Sequence, residues 1–136
     1  MAKAVKTKLF SFTVPNTIGQ LATTSGLVGA EKVGINAFCA VDAGKTAEFL
    51  LLTDKNKKAA KALATLGVEI KEEEAVKVEL ANKPGRLAKV LAKLADGGIN
   101  INRSWATAFR GKTAFCVLMT SDDEKAISLI NSKKKG

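Results

Sequence analysis

The chain has no histidine and no tyrosine, a single tryptophan, two prolines and two cysteines in 136 residues. Without histidine, proton transfer near neutral pH would fall to a carboxylate or lysine of strongly shifted pKa, and no paired carboxylates stand at a suggestive spacing. Cys39 and Cys116 lie far apart inside apolar runs with no CxxC spacing. A zinc site and a Cys–His nucleophile are therefore excluded, and both thiols are expected to be buried and reduced. A non-enzyme needing neither metal nor cofactor is the expectation. No apolar run approaches the roughly 18 residues of a membrane helix, and "MAKAVKTKLF" lacks the apolar core of a signal peptide. These features lead us to expect a cytoplasmic protein with no membrane contact.

Arginine is also scarce. The net charge is +9, yet the only arginines are Arg86, Arg103 and Arg110. Lysine is a hydrated point charge, whereas phosphate and base recognition favours the planar guanidinium fork. The lysines are spread out, denser only over residues 55–61 and 133–135, and read as solvated helix faces and a charged tail.

What is present is a repeat. "FSFTVPNTIGQLA" (residues 10–22) matches "VKVELANKPGRLA" (76–88) without a gap, setting Asn16 against Asn82 and Gly19 against Gly85. "VGINAF" (33–38) answers "GGININ" (97–102), and "GKTAEFLLLT" (44–53) answers "GKTAFCVLMT" (111–120). The order is the same in both halves, so the chain divides into units 1–73 and 74–136.

In the second copy Val76, Val78 and Leu80 alternate with Lys77 and Glu79, the pattern of a half-buried strand. A helix follows from about Pro84 and stops at Gly97-Gly98. "ININ" opens a second strand with Ile99 and Ile101 on one side and Asn100 and Asn102 on the other. "TAFCVLMT" is a third strand, and Ser121 with Glu124 forms a capping box for a helix bearing Ala126, Ile127 and Ile130. In the first copy "VEIKEE" (68–73) adds a final strand and completes β-α-β-β-α-β, the ferredoxin-like pattern. The second copy has no evident final strand, so either its sheet is one strand short or another segment fills the place. The absence of Gly and Pro from 68–80 predicts that the last strand of copy one runs almost directly into the first of copy two. The fold class is α+β, with antiparallel sheets and helices on one face of each.

The third strands are apolar on both sides, which predicts an outer face covered by a partner, most simply a second copy in a homodimer. The first helix of copy one, with Thr23, Thr24, Gly26 and Gly29, is weaker than its counterpart. Ordering by a ligand or close packing on a neighbour through the glycines would account for it.

On these residues the chain resembles the ACT domains, small β-α-β-β-α-β modules that sense amino acids. The resemblance covers nearly the whole chain as a tandem pair, and its most specific stretch is "VELANKPGRLAKVLAKLADGGININ" (78–102). "VPNTIGQLA" is similar but has Ile18 where the second copy has Pro84. The family's ligand sits beside the loop between first strand and first helix, often where units adjoin. The resemblance thus implies Asn16, Thr17, Ile18 and Gly19, and Asn82, Lys83, Pro84 and Gly85, as ligand contacts. Asn36, Asn100 and Asn102 are added from the start of the second strand. The family often has Asp at the first loop position, where this chain has Asn in both copies.

A helix N-terminus favours a carboxylate, and glycine permits close approach. The competing structural role is that Asn82 is a helix cap, although a mere helix start does not call for Gly19 and Gly85. The implied function is a non-catalytic sensor of a small amino acid or related metabolite, signalling to a partner enzyme or regulator in trans. One alternative is the regulatory small subunit of an amino-acid biosynthetic enzyme such as acetohydroxyacid synthase. Another is RNA binding, since "RGKTAFCV" (110–117) is similar to a strand of the RNA-recognition motif. That motif needs several stacking aromatics, and this strand has only Phe115.

Overall fold

In the computed structural model, residues 2–108 and 111–132 are described; the tail lysines and Arg110 lie outside them. The elements are β1 (Lys3–Pro15), α1 (Gln20–Ala30), β2 (Ile35–Asp42), β3 (Thr46–Thr53), α2 (Asn56–Leu63), β4 (Lys71–Ala81), α3 (Arg86–Asp96), β5 (Ile101–Thr107), β6 (Thr113–Thr120) and α4 (Asp123–Asn131), with a 3₁₀ turn, Ala64–Leu66, after α2. Hydrogen-bonded strand order is β2-β3-β1-β4 in one half and β1-β4-β6-β5 in the other. The pairings β1–β3, β2–β3, β4–β6 and β5–β6 are antiparallel.

The chain separates into two compact units, Lys8–Glu73 and Glu74–Gly136, with Met1–Thr7 clustering with the latter. This departs from a boundary that leaves 1–7 in the first unit. It also answers the question of the missing strand. Ala4 is 2 % exposed within the second unit's core, beside Val76, Val78 and Leu118. Its N–H donates to Asn131 Oδ1 (2.8 Å) and its carbonyl accepts from Asn131 Nδ2 (2.9 Å). The start of β1 therefore supplies the last strand of β-α-β-β-α-β to the second unit. As expected, the last strand of copy one continues into the first of copy two, but it begins at Lys71 rather than at residue 68: β4 is one strand of 11 residues, and residues 68–70 are not strand.

Each core lies between a sheet and its two helices. Phe10, Phe12 and Val14 of β1 and Phe49 and Leu51 of β3 pack on Val28, Ala59 and Leu63 in the first unit. Val78, Leu80 and Leu118 pack on Val90, Leu94, Ala126 and Ile130 in the second. On the opposite sheet faces Leu50 (1 %), Leu52 (4 %), Val117 (0 %) and Met119 (7 %) are also buried within the single chain. The third strands thus present no open apolar face, and they give no reason to require a second copy. Cys116 is buried, which pushes its thiol up to about 11 and keeps it protonated, whereas Cys39 is only half-buried, on β2.

Several local expectations shift by a residue or two. The cap of α4 is Asp122, which accepts from the Lys125 N–H at 3.1 Å, while Ser121 Oγ accepts from the Asn100 N–H. The register of the repeat also moves. Asp54 N–H bonds the Gly34 carbonyl and Ser121 N–H the Asn100 carbonyl, so Gly34 answers Asn100, and Asn36 answers Asn102. Asn36 and Asn102 both sit at β-bulges and β5 begins at Ile101; the alternation read through "ININ" holds in burial, with Ile99 and Ile101 on the core and Asn100 and Asn102 exposed. The same register sets Lys32 (φ 59°) against Gly98 (φ 75°), both left-handed positions at a helix end.

Candidate functional site

The loops from β1 to α1 and from β4 to α3 match bond for bond. Asn16 N–H donates to the Lys45 carbonyl and Asn82 N–H to the Lys112 carbonyl. Thr17 N–H bonds the Pro15 carbonyl, as Lys83 N–H bonds that of Ala81. Gln20 N–H then closes on the Thr17 carbonyl (3.4 Å), as Arg86 N–H does on that of Lys83 (3.2 Å). With Gly85 at φ 84°, ψ −12° and Gly19 at φ 92°, ψ −1°, each closure is a type II turn. Pro84 holds the second position of its turn and Gly85 the third, where positive φ favours glycine. Neither is inside the helix, which begins at Arg86. The counterpart Ile18 projects fully into solvent. A Cβ on Gly19 or Gly85 would meet nothing within 4 Å. Backbone conformation therefore accounts for both glycines.

The asparagines are not helix caps. Both α1 and α3 start at the left-handed glycine with no side-chain cap and no acidic residue in the first turn. Asn82 instead donates through Nδ2 to the Gly111 carbonyl at 3.1 Å. Asn16 Nδ2 donates to the Gly44 carbonyl at 2.9 Å and to Asp42 Oδ1 at 2.8 Å. Each asparagine ties its loop to the adjacent hairpin, and the first N–H groups of the helix are left without a side-chain partner.

A cleft opens beside each latch. In the first unit it measures about 240 Å³ and is lined by Asn16, Thr17 and Gly19 of the loop, Gln20 and Leu21 of α1, and Ala40, Val41, Asp42, Ala47 and Phe49 of the hairpin. In the second unit it measures about 210 Å³, with Asn82 and Lys83 of the loop, Leu87 of α3, and Ala106, Thr107, Ala108, Ala114 and Phe115 among its walls. Of the expected contacts, Asn16, Thr17, Gly19, Asn82 and Lys83 line these clefts; Ile18, Pro84 and Gly85 do not. Asn36 and Asn102 sit at the opposite ends of their strands, four residues or about 13 Å by strand rise from Ala40 and Ala106, the nearest cleft residues on those strands. Asn100 is tied there too, through its N–H to Ser121 and its Nδ2 to Asn102 Oδ1 at 2.7 Å. The hairpin residues, Asp42 above all, were missed because nothing in the linear sequence sets them beside the loop. The turn signal Asp42-Ala43-Gly44 was the available cue.

A larger groove of about 330 Å³ lies over Lys3, Val5, Lys77, Glu79 and Phe115 in the second unit. Its walls come from strands, and Phe115 is shared with the loop cleft of the same unit. Among the described residues no group of three or more His, Cys, Asp or Glu is placed to hold a metal, and no helix is long and apolar enough to cross a membrane.

This arrangement of strand, type II turn, helix and hairpin, given twice, is the fold of a tandem pair of ACT domains. The solved structures that share it make the same point. Protein BT0572 from Bacteroides thetaiotaomicron aligns at 25% identity over 93% of this chain and 87% of its own, with a TM-score of 0.85. The regulatory subunit of aspartate kinase from Thermus thermophilus, in its ligand-free form, aligns at 14% identity over 93% and 89%, with a TM-score of 0.66. That from Thermus flavus gives 16% identity, 94% of each chain and a TM-score of 0.64. No family model matches the sequence, and no curated protein matches it.

Proposed function

We propose that the protein is a non-catalytic sensor of amino acids, taking its ligand at the clefts beside the strand-to-helix turns and passing its occupancy to a partner enzyme in trans. The observation that carries this reading is the cleft geometry. Each cleft joins a polar loop and a helix start without side-chain cap to an apolar wall, which suits a small molecule with a carboxylate and a side chain. The fold supports it as well, since it serves in the regulatory subunits of aspartate kinase described above. Sensing would work by linkage, the ligand favouring one conformation that the partner reads.

A thermal-shift screen of the twenty amino acids tests the reading. A ligand at 100 times its Kd adds about 2.7 kcal/mol, which for a chain of this size raises Tm on the order of 10 °C. No shift with any amino acid refutes it.

A further inference from the structure

We infer that the two clefts are not equivalent sites: only the cleft of Lys8–Glu73 holds an α-ammonium, through Asp42, and it takes an amino acid with an apolar side chain. The inference rests on the amino-acid reading above and deepens it.

The strand register fixes the comparison. Ala40 pairs with Phe49 and Asp42 with Ala47, while Ala106 pairs with Cys116 and Thr107 with Phe115. Ala106 therefore answers Ala40, and Ala108 answers Asp42. Where the first cleft has a carboxylate, the second has a methyl group. Moving along the turns, Lys83 lines the second cleft where the first has the uncharged Thr17, and Arg86, which lines a neighbouring pocket beside α3, stands where the first copy has Gln20. A cationic ligand group is drawn to one cleft and repelled from the other by side chains on the same backbone.

Asp42 is held ready for this role. Its Oδ1 accepts from Asn16 Nδ2 (2.8 Å) and from the Gly44 N–H (2.7 Å). These two bonds orient the carboxylate, and no lysine or arginine among the described residues forms an ion pair with it. The chain thus supplies an acidic anchor from the end of β2, across the latch from Asn16, rather than from the loop itself. The uncapped start of α1 lies on the other side of the cleft and suits the carboxylate. Leu21, Val41 and Phe49 complete an apolar wall for the side chain.

The test is a titration of the full chain, followed by backbone amide NMR, with alanine, valine, leucine and isoleucine. The amine-free analogue 4-methylpentanoate serves as the control. The expected result is one strong site per chain, with shift changes at residues 16–21 and 40–47. Asp42→Asn keeps an oxygen for both latch bonds, so its fold is checked directly against wild type. It should weaken the amino acid at least tenfold and leave 4-methylpentanoate unchanged. Ala108→Asp should add a second, weaker site. Unchanged amino-acid affinity in Asp42→Asn, or equal shifts at both clefts in wild type, overturns the assignment of Asp42 and leaves the sensor reading standing. No response to the four apolar amino acids overturns the ligand class. No response to any of the twenty overturns the sensor reading beneath it.

Discussion

Replacing Asn131 by alanine tests how the second unit is closed. Asn131, the last residue of α4, presents its amide to both backbone groups of Ala4, at 2.8 and 2.9 Å, and Ala4 is 2 % exposed. Alanine removes both bonds and leaves an N–H and a C=O without partners in a nearly dry position. Each net bond is worth about 1 kcal/mol and each abandoned buried group costs about 1–3 kcal/mol. Release of residues 3–7 into water caps the loss at whatever that strand contributes. A destabilisation of about 2–3 kcal/mol is therefore expected, seen in urea unfolding as a lower midpoint at unchanged m. Amide exchange should accelerate first at residues 3–7 and at β4, and last in the core of Lys8–Glu73. Asn131→Asp keeps the acceptor for the Ala4 N–H but sets a carboxylate against the Ala4 carbonyl, so it should be no better than alanine. An Asn131→Ala variant within about 0.5 kcal/mol of wild type, or fast exchange at residues 3–7 in the wild type, would show that the N-terminal strand does not complete this unit.

Two further substitutions give the first copy what the second already has. Ile18→Pro puts proline at the second position of a type II turn whose counterpart holds Pro84, and should stabilise by about 0.5–1 kcal/mol through the unfolded chain; a fall in Tm would mean the two turns are not alike. Thr24 is fully buried on α1 with a hydroxyl that has no partner among the described residues, and Val90 answers it in α3. Thr24→Val should raise stability by about 1 kcal/mol in chemical denaturation, by removing an unsatisfied polar group at nearly constant shape.

Much of this architecture was legible because both copies carry the same periodicities. The alternation of Val76, Val78 and Leu80 against Lys77 and Glu79 is a buried face against a wet one, and that is how β4 packs. What escaped the sequence depends on contacts between distant segments. The stretch Lys3–Thr7 looks like a lysine-rich terminus because its buried residue is as small as alanine. Only the shortage of one strand in the second copy hinted that it had a place. Ser121 and Asp122 are both good caps, and choosing between them requires knowing that Ser121 is already engaged by the Asn100 N–H. At Gly19 and Gly85 a helix start alone does not need glycine. A type II turn does need it, and the Pro84-Gly85 pair is that turn's own signature.

The same reasoning explains why the candidate contacts from the family resemblance divide so unevenly. The backbone of the two loops is conserved between the copies to the level of single hydrogen bonds, from the latch asparagines to the turn closures. Two sites built on one backbone can differ in what they bind only through side chains that the backbone does not itself require. Asn16, Gly19, Asn82 and Gly85 are required, so they are the same in both copies and carry no discrimination. Thr17 against Lys83, Gln20 against Arg86, and Asp42 against Ala108 are free to differ, and they do so in charge. A division of labour between the clefts would be written at those three pairs, and Asp42 is the only carboxylate among them.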